Sequence, residues 1–184
     1  MTIDHLTRAF ASTRAVLATV RPEHLDRPTP CVSWDVRALI NHFIGSARWA
    51  GATIDGEAAP ADEDHAAGDL LAAYDHSSKL ALAAFGADGA LARTVHLPFG
   101  ELTGAALMAL AANDQFTHGW DLARAVGHHT DLDPGLAEDL LAQARITVPD
   151  AYRGPEGVGL FAPAAEPAPG ASPADRLAAF LGRA

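Results

Sequence analysis

Apolar residues recur every three or four positions along most of the chain, the spacing of one face of an α-helix. The first such stripe predicts a helix over residues 3–20 and consists of Ile3, Leu6, Phe10, Thr13, Leu17 and Val20. Three prolines within residues 21–30 end this helix. A second helix is predicted over 34–54, with Ser33 as its N-cap and Asp35 in its first turn. A third is predicted over 66–85, after an acidic exposed loop.

The pattern changes after the third helix. Residues 93–97 alternate weakly and are β-branched, which predicts a short extended piece, and the following Pro-Phe-Gly predicts a turn. A long helix then runs from about 102 to Gly127, a residue suited to a helix end. Its inward row is predicted to contain Leu107, Leu110, Ala111, Leu122 and Ala125.

Two shorter helices are predicted near the end of the chain. Asp133 and Pro134 form a capping pair for a helix that fades near residue 148, and Ser172 caps a short terminal helix. The predicted fold class is therefore all-α: a four-helix bundle with a short extended or hairpin piece and an extra C-terminal helical tail. His5, His24, His128 and His129 fall in segments predicted to be exposed, and we assign them no role.

The length and composition fit one domain. The chain has 184 residues, of which 49% are hydrophobic, enough for a sizeable core. No internal repeat or clean boundary interrupts it. We expect a single helical domain over 1–184, with a bundle core over about 1–130 and a C-terminal extension over about 131–184.

The charge and cysteine content narrow the function classes. A net charge of −10 with only 13 basic residues argues against nucleic-acid binding. No apolar run is long enough for a membrane span, and the polar, amphipathic start is not expected to be a signal peptide. Cys31 has no cysteine partner, which excludes an internal disulfide. We therefore expect a cytoplasmic protein, and the alanine-rich, lysine-poor composition is typical of a high-GC genome such as that of an actinobacterium.

A carboxylate and an imidazole lie one turn apart on the long predicted helix. Asp114 and His118 are four residues apart, so they share a face, and that face is the apolar one. His42 lies on the inward row of the second helix. Two imidazoles and a carboxylate suit a first-row divalent metal, and three protein ligands leave one position open, as in catalytic zinc sites. On spacing alone, an ordinary ion pair and a hydrogen-bonded core histidine are the favoured explanations of these residues.

Two stretches resemble known family signatures. "PTPCVSWDVRALINHFIGSARW" (28–49) and "FTHGWDLARAVG" (116–127) resemble the DinB-like superfamily, and in particular the metal-binding domain of the mycothiol-dependent maleylpyruvate isomerase family. The likeness extends to "HLPFGE" (96–101) and "ASPADRLAAFLGR" (171–183). It implies a DinB-like bundle in which the metal is held by His42, Asp114 and His118.

The resemblance also departs from the isomerase at two points. The isomerase has a glutamate at the position of Asp114, and it has a further C-terminal domain where this chain has a short tail after residue 150. We therefore do not expect maleylpyruvate isomerisation itself.

The resemblance implies a metal-dependent transferase or isomerase that uses mycothiol or a similar low-molecular-weight thiol with an electrophilic substrate. The metal expected is Zn²⁺, with Ni²⁺ or Fe²⁺ as alternatives. A metal- or small-molecule-binding module without catalysis is the main alternative, and an iron oxygenase is a weaker one. The apolar face of the bundle would allow a homodimer.

Five other residues are weighed for a place in the surroundings of this site. Asp121, three residues after His118, is placed to orient its imidazole or to pair with a nearby basic residue. Trp34 and Trp120 are candidates for a pocket wall, although core packing or a rim contact is the favoured explanation. His96 is a candidate for the site mouth, with an ordinary loop histidine favoured. For Cys31, small-residue packing is favoured over a nucleophilic role.

Overall fold

The computed structural model of the chain describes residues 1–58, 60–98, 100–155, 158–159 and 161–183. Within these residues six α-helices and one two-stranded antiparallel sheet form. In chain order they are α1 (Ile3–Leu17), α2 (Val36–Asp55), α3 (Leu70–Gly86), β1 (Thr94–Leu97), β2 (Gly100–Thr103), α4 (Gly104–Val126), α5 (Pro134–Thr147) and α6 (Pro173–Phe180). The all-α prediction with a short hairpin and a C-terminal helix is confirmed. No helix in the described ranges is both long and apolar enough to cross a membrane.

The chain divides into two compact units, residues 1–126 and 127–184. The first is a bundle in which α1 packs mainly on α4, and α2 packs on both α3 and α4. The hairpin joins α3 to α4, with Val95 opposite Leu102. At the centre lies Tyr74, which packs in T-shaped geometry with Phe10 and with Phe43, at 6.0 and 5.5 Å between ring centroids. This aromatic cluster is buried and supplies much of the apolar core.

The start of α2 differs from the prediction. Its N-cap is Asp35, whose carboxylate accepts from the amide of Ala38 at 2.8 Å, and Ser33 lies outside the helix. The reason is local: the amide of Trp34 donates to the carbonyl of Cys31 at 2.8 Å, which closes a turn before the helix begins. The loop between α1 and α2 therefore reaches as far as Asp35, and Trp34 belongs to it.

Helices α1 and α4 approach each other closely at Gly119. A Cβ on this glycine would lie 2.3 Å from Oγ1 of Thr13, so only hydrogen fits there. The Thr13 hydroxyl donates to the carbonyl of Gln115 at 2.7 Å, one turn earlier on α4.

The prediction that Leu110 faces inward is wrong. It is 39% exposed, because the buried face of α4 passes through Leu107 and Ala111 and leaves Leu110 at its edge.

The second unit has its own pair of helices, α5 and α6, packed together. Asp133 caps α5 by accepting from the amide of Leu136, and Ser172 caps α6 by accepting from the amide of Asp175, as predicted. Arg153 donates to the carbonyl of Phe180 at 2.8 Å and lies over its ring. This unit thus has a distinct, smaller core.

Candidate metal centre

The bundle brings the three predicted metal ligands to one point. His42 comes from the middle of α2, and Asp114 and His118 from successive turns of α4, the two helices being packed neighbours. Oδ1 of Asp114 lies 3.3 Å from Nε2 of His42 and 3.4 Å from Nε2 of His118. One donor atom from each residue falls within 4.8 Å of the others. The carboxylate oxygen thus faces both imidazoles, whose ring centroids lie 4.7 Å apart.

These separations match those between ligands of a single small cation. Zinc binds nitrogen and oxygen donors at about 2.0–2.2 Å, and at a tetrahedral angle two such donors lie roughly 3.3–3.5 Å apart. Two separations of 3.3 and 3.4 Å therefore fit a shared ion. The side chains of His42, Asp114 and His118 are 33%, 23% and 11% exposed, so a small ligand can reach the centre from solvent.

The far side of the His118 ring is held by Asp121. Nδ1 of His118 lies 3.0 Å from Oδ2 of this carboxylate, which is fully buried. An ionised carboxylate only accepts hydrogen bonds, so Nδ1 donates to Asp121, and Nε2, which faces Asp114, is the nitrogen from which a metal ion would displace a proton. This is the arrangement in which an acidic side chain fixes the tautomer and direction of a metal-binding imidazole. The structure thus places Asp121 where the sequence suggested an orienting role.

The charges of the centre are strongly coupled. Burial would raise the pKa of Asp114, but the charge and hydrogen bond of His118 and the hydrogen bond of His42 outweigh it, and the pKa is lowered. Burial would lower the pKa of His118, yet the Asp114 carboxylate and the hydrogen bonds to Asp114 and Asp121 hold it well above its ordinary value. In the metal-free chain the Asp114 carboxylate is therefore ionised and lies beside a positively charged His118.

A second row of polar residues, absent from the sequence-based candidates, supports the opposite oxygen of Asp114. The Ser46 hydroxyl lies 2.7 Å from Oδ2 of Asp114 and accepts from Nε2 of Gln115 at 3.0 Å. Oε1 of Gln115 accepts from the Tyr74 phenol at 2.9 Å. Ser46 is four residues after His42, so a signal existed: the same helical spacing that pairs Asp114 with His118 places Ser46 beside His42.

The loop before α2 covers one side of the centre with an indole. The Trp34 ring lies 4.4 Å from that of His42 and 5.6 Å from that of His118, measured between centroids. The loop is held by Thr29, whose hydroxyl lies 2.8 Å from the carbonyl of Trp34 and 3.0 Å from that of Cys31. Trp34 therefore packs on both imidazoles, the position that a pocket wall would need, and the wall role itself stays a prediction.

Cys31, on the same loop, reaches the supporting carboxylate. Its Sγ lies 3.3 Å from Oδ2 of Asp121 and 3.9 Å from Nδ1 of His118. These three side chains form a second set of atoms with metal-ligating chemistry. It shares His118 with the first set, but uses the nitrogen that already donates to Asp121. The geometry is that of a thiol donating to a carboxylate.

The remaining candidates lie elsewhere. Trp120 is buried, with the guanidinium of Arg124 5.7 Å from its ring centroid. His96 lies on β1, with a 76% exposed side chain that pairs with Glu101 at 3.0 Å across the hairpin. Neither belongs to the sets of possible ligand residues in the described part of the chain.

The prediction that His24 is exposed is wrong: it is 2% exposed, because the short helical turn Pro22–His24 directs its ring inward.

Comparison with known proteins identifies the family. The family model described as the mycothiol maleylpyruvate isomerase N-terminal domain matches residues 6–123, which contain the whole candidate centre. Two uncharacterized proteins of Mycobacterium tuberculosis, from strains CDC 1551 / Oshkosh and ATCC 25618 / H37Rv, are each 41% identical over 181 residues. The alignment covers 96% of this chain and 94% of either relative. No solved structure gives a significant match. On this evidence the chain belongs to the mycothiol maleylpyruvate isomerase N-terminal domain family.

Proposed function

We propose that this chain binds a divalent metal ion through Nε2 of His42, Oδ1 of Asp114 and Nε2 of His118. The observation that carries the proposal is the pair of donor separations, 3.3 and 3.4 Å, both of which suit a shared ion. Two imidazoles and a carboxylate favour Zn²⁺, with Ni²⁺ or Fe²⁺ as alternatives. The ionised state of Asp114 and the orientation of His118 by Asp121 both support cation binding.

We propose further that the ion serves a low-molecular-weight thiol, of which mycothiol is the example that the family description names. Three protein donors leave a coordination position for a small ligand, and we assign it to the thiol sulfur. A metal ion bound here would lower the pKa of such a thiol and supply a thiolate at neutral pH. The family and the accessible donors together support this assignment.

The reaction class follows from a thiolate next to an electrophile. In a transfer, the sulfur lone pair forms a C–S bond while the leaving group departs with its electron pair. In a thiol-dependent isomerisation, the sulfur lone pair forms a C–S bond while the C=C π pair moves onto a conjugated carbonyl oxygen. The molecule rotates about the resulting C–C single bond, the electron pair returns to re-form C=C, and the thiolate is expelled. Trp34 offers an apolar wall for the electrophile beside the two imidazoles. The proposed activity is therefore a metal-dependent thiol S-transferase or thiol-dependent isomerase.

The metal proposal is tested by elemental analysis of the purified protein and of His118→Ala. We expect one ion per chain in the wild type and a loss of most of it in the variant. His96→Ala is the control, because this histidine is exposed and pairs with Glu101 on the hairpin. Absence of metal from wild-type protein, even after incubation with Zn²⁺, Ni²⁺ or Fe²⁺, would end the proposal.

The thiol proposal is tested separately by calorimetric titration of the metal-loaded and chelator-treated protein with mycothiol. We expect binding only to the metal-loaded form, and thiol-dependent consumption of electrophilic probes. Metal-dependent thiol binding without turnover of any probe would favour a binding module over an enzyme. If metal binds but the thiol does not, the thiol assignment is wrong and the metal site stands.

A further inference from the structure

We infer that Ser46 is a positioning residue that limits Asp114 to a single ligating oxygen. Its hydroxyl lies 2.7 Å from Oδ2 of Asp114, whereas Oδ1 faces both imidazoles. The inference rests on the proposed function, because it concerns how the carboxylate would hold the metal ion. The inference adds Ser46 to the residues that shape the centre. It also gives a reason why Asp114 would occupy one coordination position and leave another open, which the identity of the three ligands does not explain.

The hydrogen-bond directions behind Ser46 follow from Tyr74. This phenol is fully buried, and burial raises its pKa well above the ordinary value, so it keeps its proton and donates it to Oε1 of Gln115 at 2.9 Å. The amide nitrogen of Gln115 must then lie on the other side. Its two hydrogens go to the carbonyl of Phe43 at 2.7 Å and to Oγ of Ser46 at 3.0 Å. Both ends of the amide are thereby satisfied and its orientation is fixed.

Ser46 is consequently left with one proton and one strong acceptor. Since its oxygen accepts from Gln115, its own hydrogen points to another group, either Oδ2 of Asp114 at 2.7 Å or the carbonyl of Phe43 at 3.2 Å. The carboxylate oxygen is the closer of the two, and its distance is that of a well-formed O–H···O hydrogen bond, whereas the carbonyl lies beyond that range. The chain of donors from Tyr74 through Gln115 thus ends on Oδ2.

The effect of this bond is on coordination number. Carboxylates bind cations through one oxygen or through both, and a second oxygen would take the position that a thiol needs. With Oδ2 engaged by Ser46, Asp114 presents Oδ1 only. The bond also fixes the direction of a side chain that is one methylene shorter than glutamate. The centre therefore keeps an open position because of a hydroxyl on α2.

The test is Co²⁺ binding to the full chain, followed by its visible absorption and by competition with a chelator. We expect one Co²⁺ per wild-type chain. In Ser46→Ala the dissociation constant should rise by about tenfold to a hundredfold, the range for loss of a group that supports a metal ligand. Its absorption should also weaken, since a carboxylate bound through both oxygens raises the coordination number. Ser46→Thr keeps the hydroxyl and should behave as wild type.

Ser77→Ala is the matched control, because this buried serine on α3 donates to the carbonyl of Ala73 in its own helix. It should leave both readouts unchanged. Wild-type affinity and spectrum in Ser46→Ala would overturn the inference while leaving the proposed metal site intact. A wild-type chain that binds no Co²⁺ would overturn both. If circular dichroism shows that Ser46→Ala is unfolded, Tyr74→Phe decides. Without the phenol, the Gln115 amide no longer has a fixed orientation, and the Ser46 hydroxyl that accepts from it is no longer directed at Asp114. The Co²⁺ spectrum of Tyr74→Phe should therefore weaken as in Ser46→Ala, and an unchanged spectrum would overturn the inference.

Discussion

His118 and Asp121 lie one turn apart on α4 and are joined by a 3.0 Å hydrogen bond from Nδ1 to Oδ2. The bond sets the imidazole tautomer, so it should set metal affinity. In Asp121→Asn the amide can turn its NH₂ toward Nδ1, which favours a proton on Nε2, where the metal would bind. We expect the dissociation constant for Zn²⁺ to rise about tenfold to a hundredfold in chelator competition. Asp88→Asn, at an exposed position, should show wild-type affinity, and an unchanged value in Asp121→Asn would contradict the orienting role.

Cys31 distinguishes the two sets of donor atoms around His118. Its thiol contacts Asp121 at 3.3 Å and is no member of the His42, Asp114 and His118 set. We expect Cys31→Ala to retain one ion per chain with nearly wild-type affinity, measured by elemental analysis and chelator competition. Loss of the ion in this variant would instead place it between Cys31, His118 and Asp121.

Trp34 should matter more for the thiol than for the metal. The indole packs on the rings of His42 and His118 but offers no metal-ligating atom. We expect Trp34→Ala to keep its metal content and to bind mycothiol roughly threefold to tenfold more weakly, the value of one lost aromatic contact. Calorimetry of the metal-loaded variants measures this. Trp34→Phe should lie closer to wild type, whereas equal thiol affinity in all three proteins would exclude a wall function.

The sequence predicted the parts of the fold that depend on local spacing. The 3.6-residue period identified α1, α2, α3 and α4 because each helix buries one face, and the i, i+4 spacing placed Asp114 beside His118 on such a face. Whether His42 would meet them depends on how α2 packs against α4. The inward rows of the two helices suggested that meeting, and the family resemblance made it the expected outcome.

Other features depend on distances between elements and were missed. Ser46 gains its role only because α4 brings Gln115 and Asp114 within hydrogen-bond range of α2. Asp35 rather than Ser33 caps α2 because a turn in the preceding loop extends to Trp34. Leu110 is an apolar residue that was assigned to the inward row, yet the buried face of α4 leaves it at the edge. In each case the residue type was readable, but its neighbours were not.

The contact between Gly119 and Thr13 predicts a stability effect. A methyl group at Gly119 would meet the Thr13 hydroxyl at 2.3 Å, so Gly119→Ala should force α1 and α4 apart and cost about 1–3 kcal/mol in the free energy of unfolding. Gly45 on α2 is the matched control, because a Cβ there meets nothing within 4 Å. Gly45→Ala should stabilise the protein by roughly 0.5–1 kcal/mol. Urea denaturation measures both, and a neutral Gly119→Ala would contradict the close approach.

The buried imidazole of His24 predicts a dependence of stability on pH. Its Nδ1 accepts from the amide of Arg21, and among the described residues its Nε2 meets no hydrogen-bond partner. Burial lowers the pKa of His24, with smaller contributions from Arg21 and Arg27. Below the ordinary value of 6.5 the unfolded chain therefore binds this proton more readily than the folded chain. The stabilising contribution is present above that pH and lost as the pH falls.

His24→Phe should weaken this dependence. It keeps a ring of similar size and removes the titrating group, so the metal-free variant should lose less stability than wild type between about pH 7.5 and about pH 5.5. Denaturation of chelator-treated protein at the two pH values gives the difference. His96→Phe, at an exposed histidine on β1, should behave as wild type. An equal loss in His24→Phe and wild type would show that other groups cause the acid sensitivity.

The loop that carries Trp34 is tied together by Thr29, whose hydroxyl also accepts from the amide of Cys31 at 3.1 Å. These bonds are internal to the loop and involve neither a metal ion nor a substrate. These bonds order the loop backbone, and the indole packs on the rings of His42 and His118, so most of the ordering entropy is lost when the chain folds and little remains to be lost during association. The centre is therefore preorganised, and small molecules should enter it at rates limited by encounter, without a slow closing step.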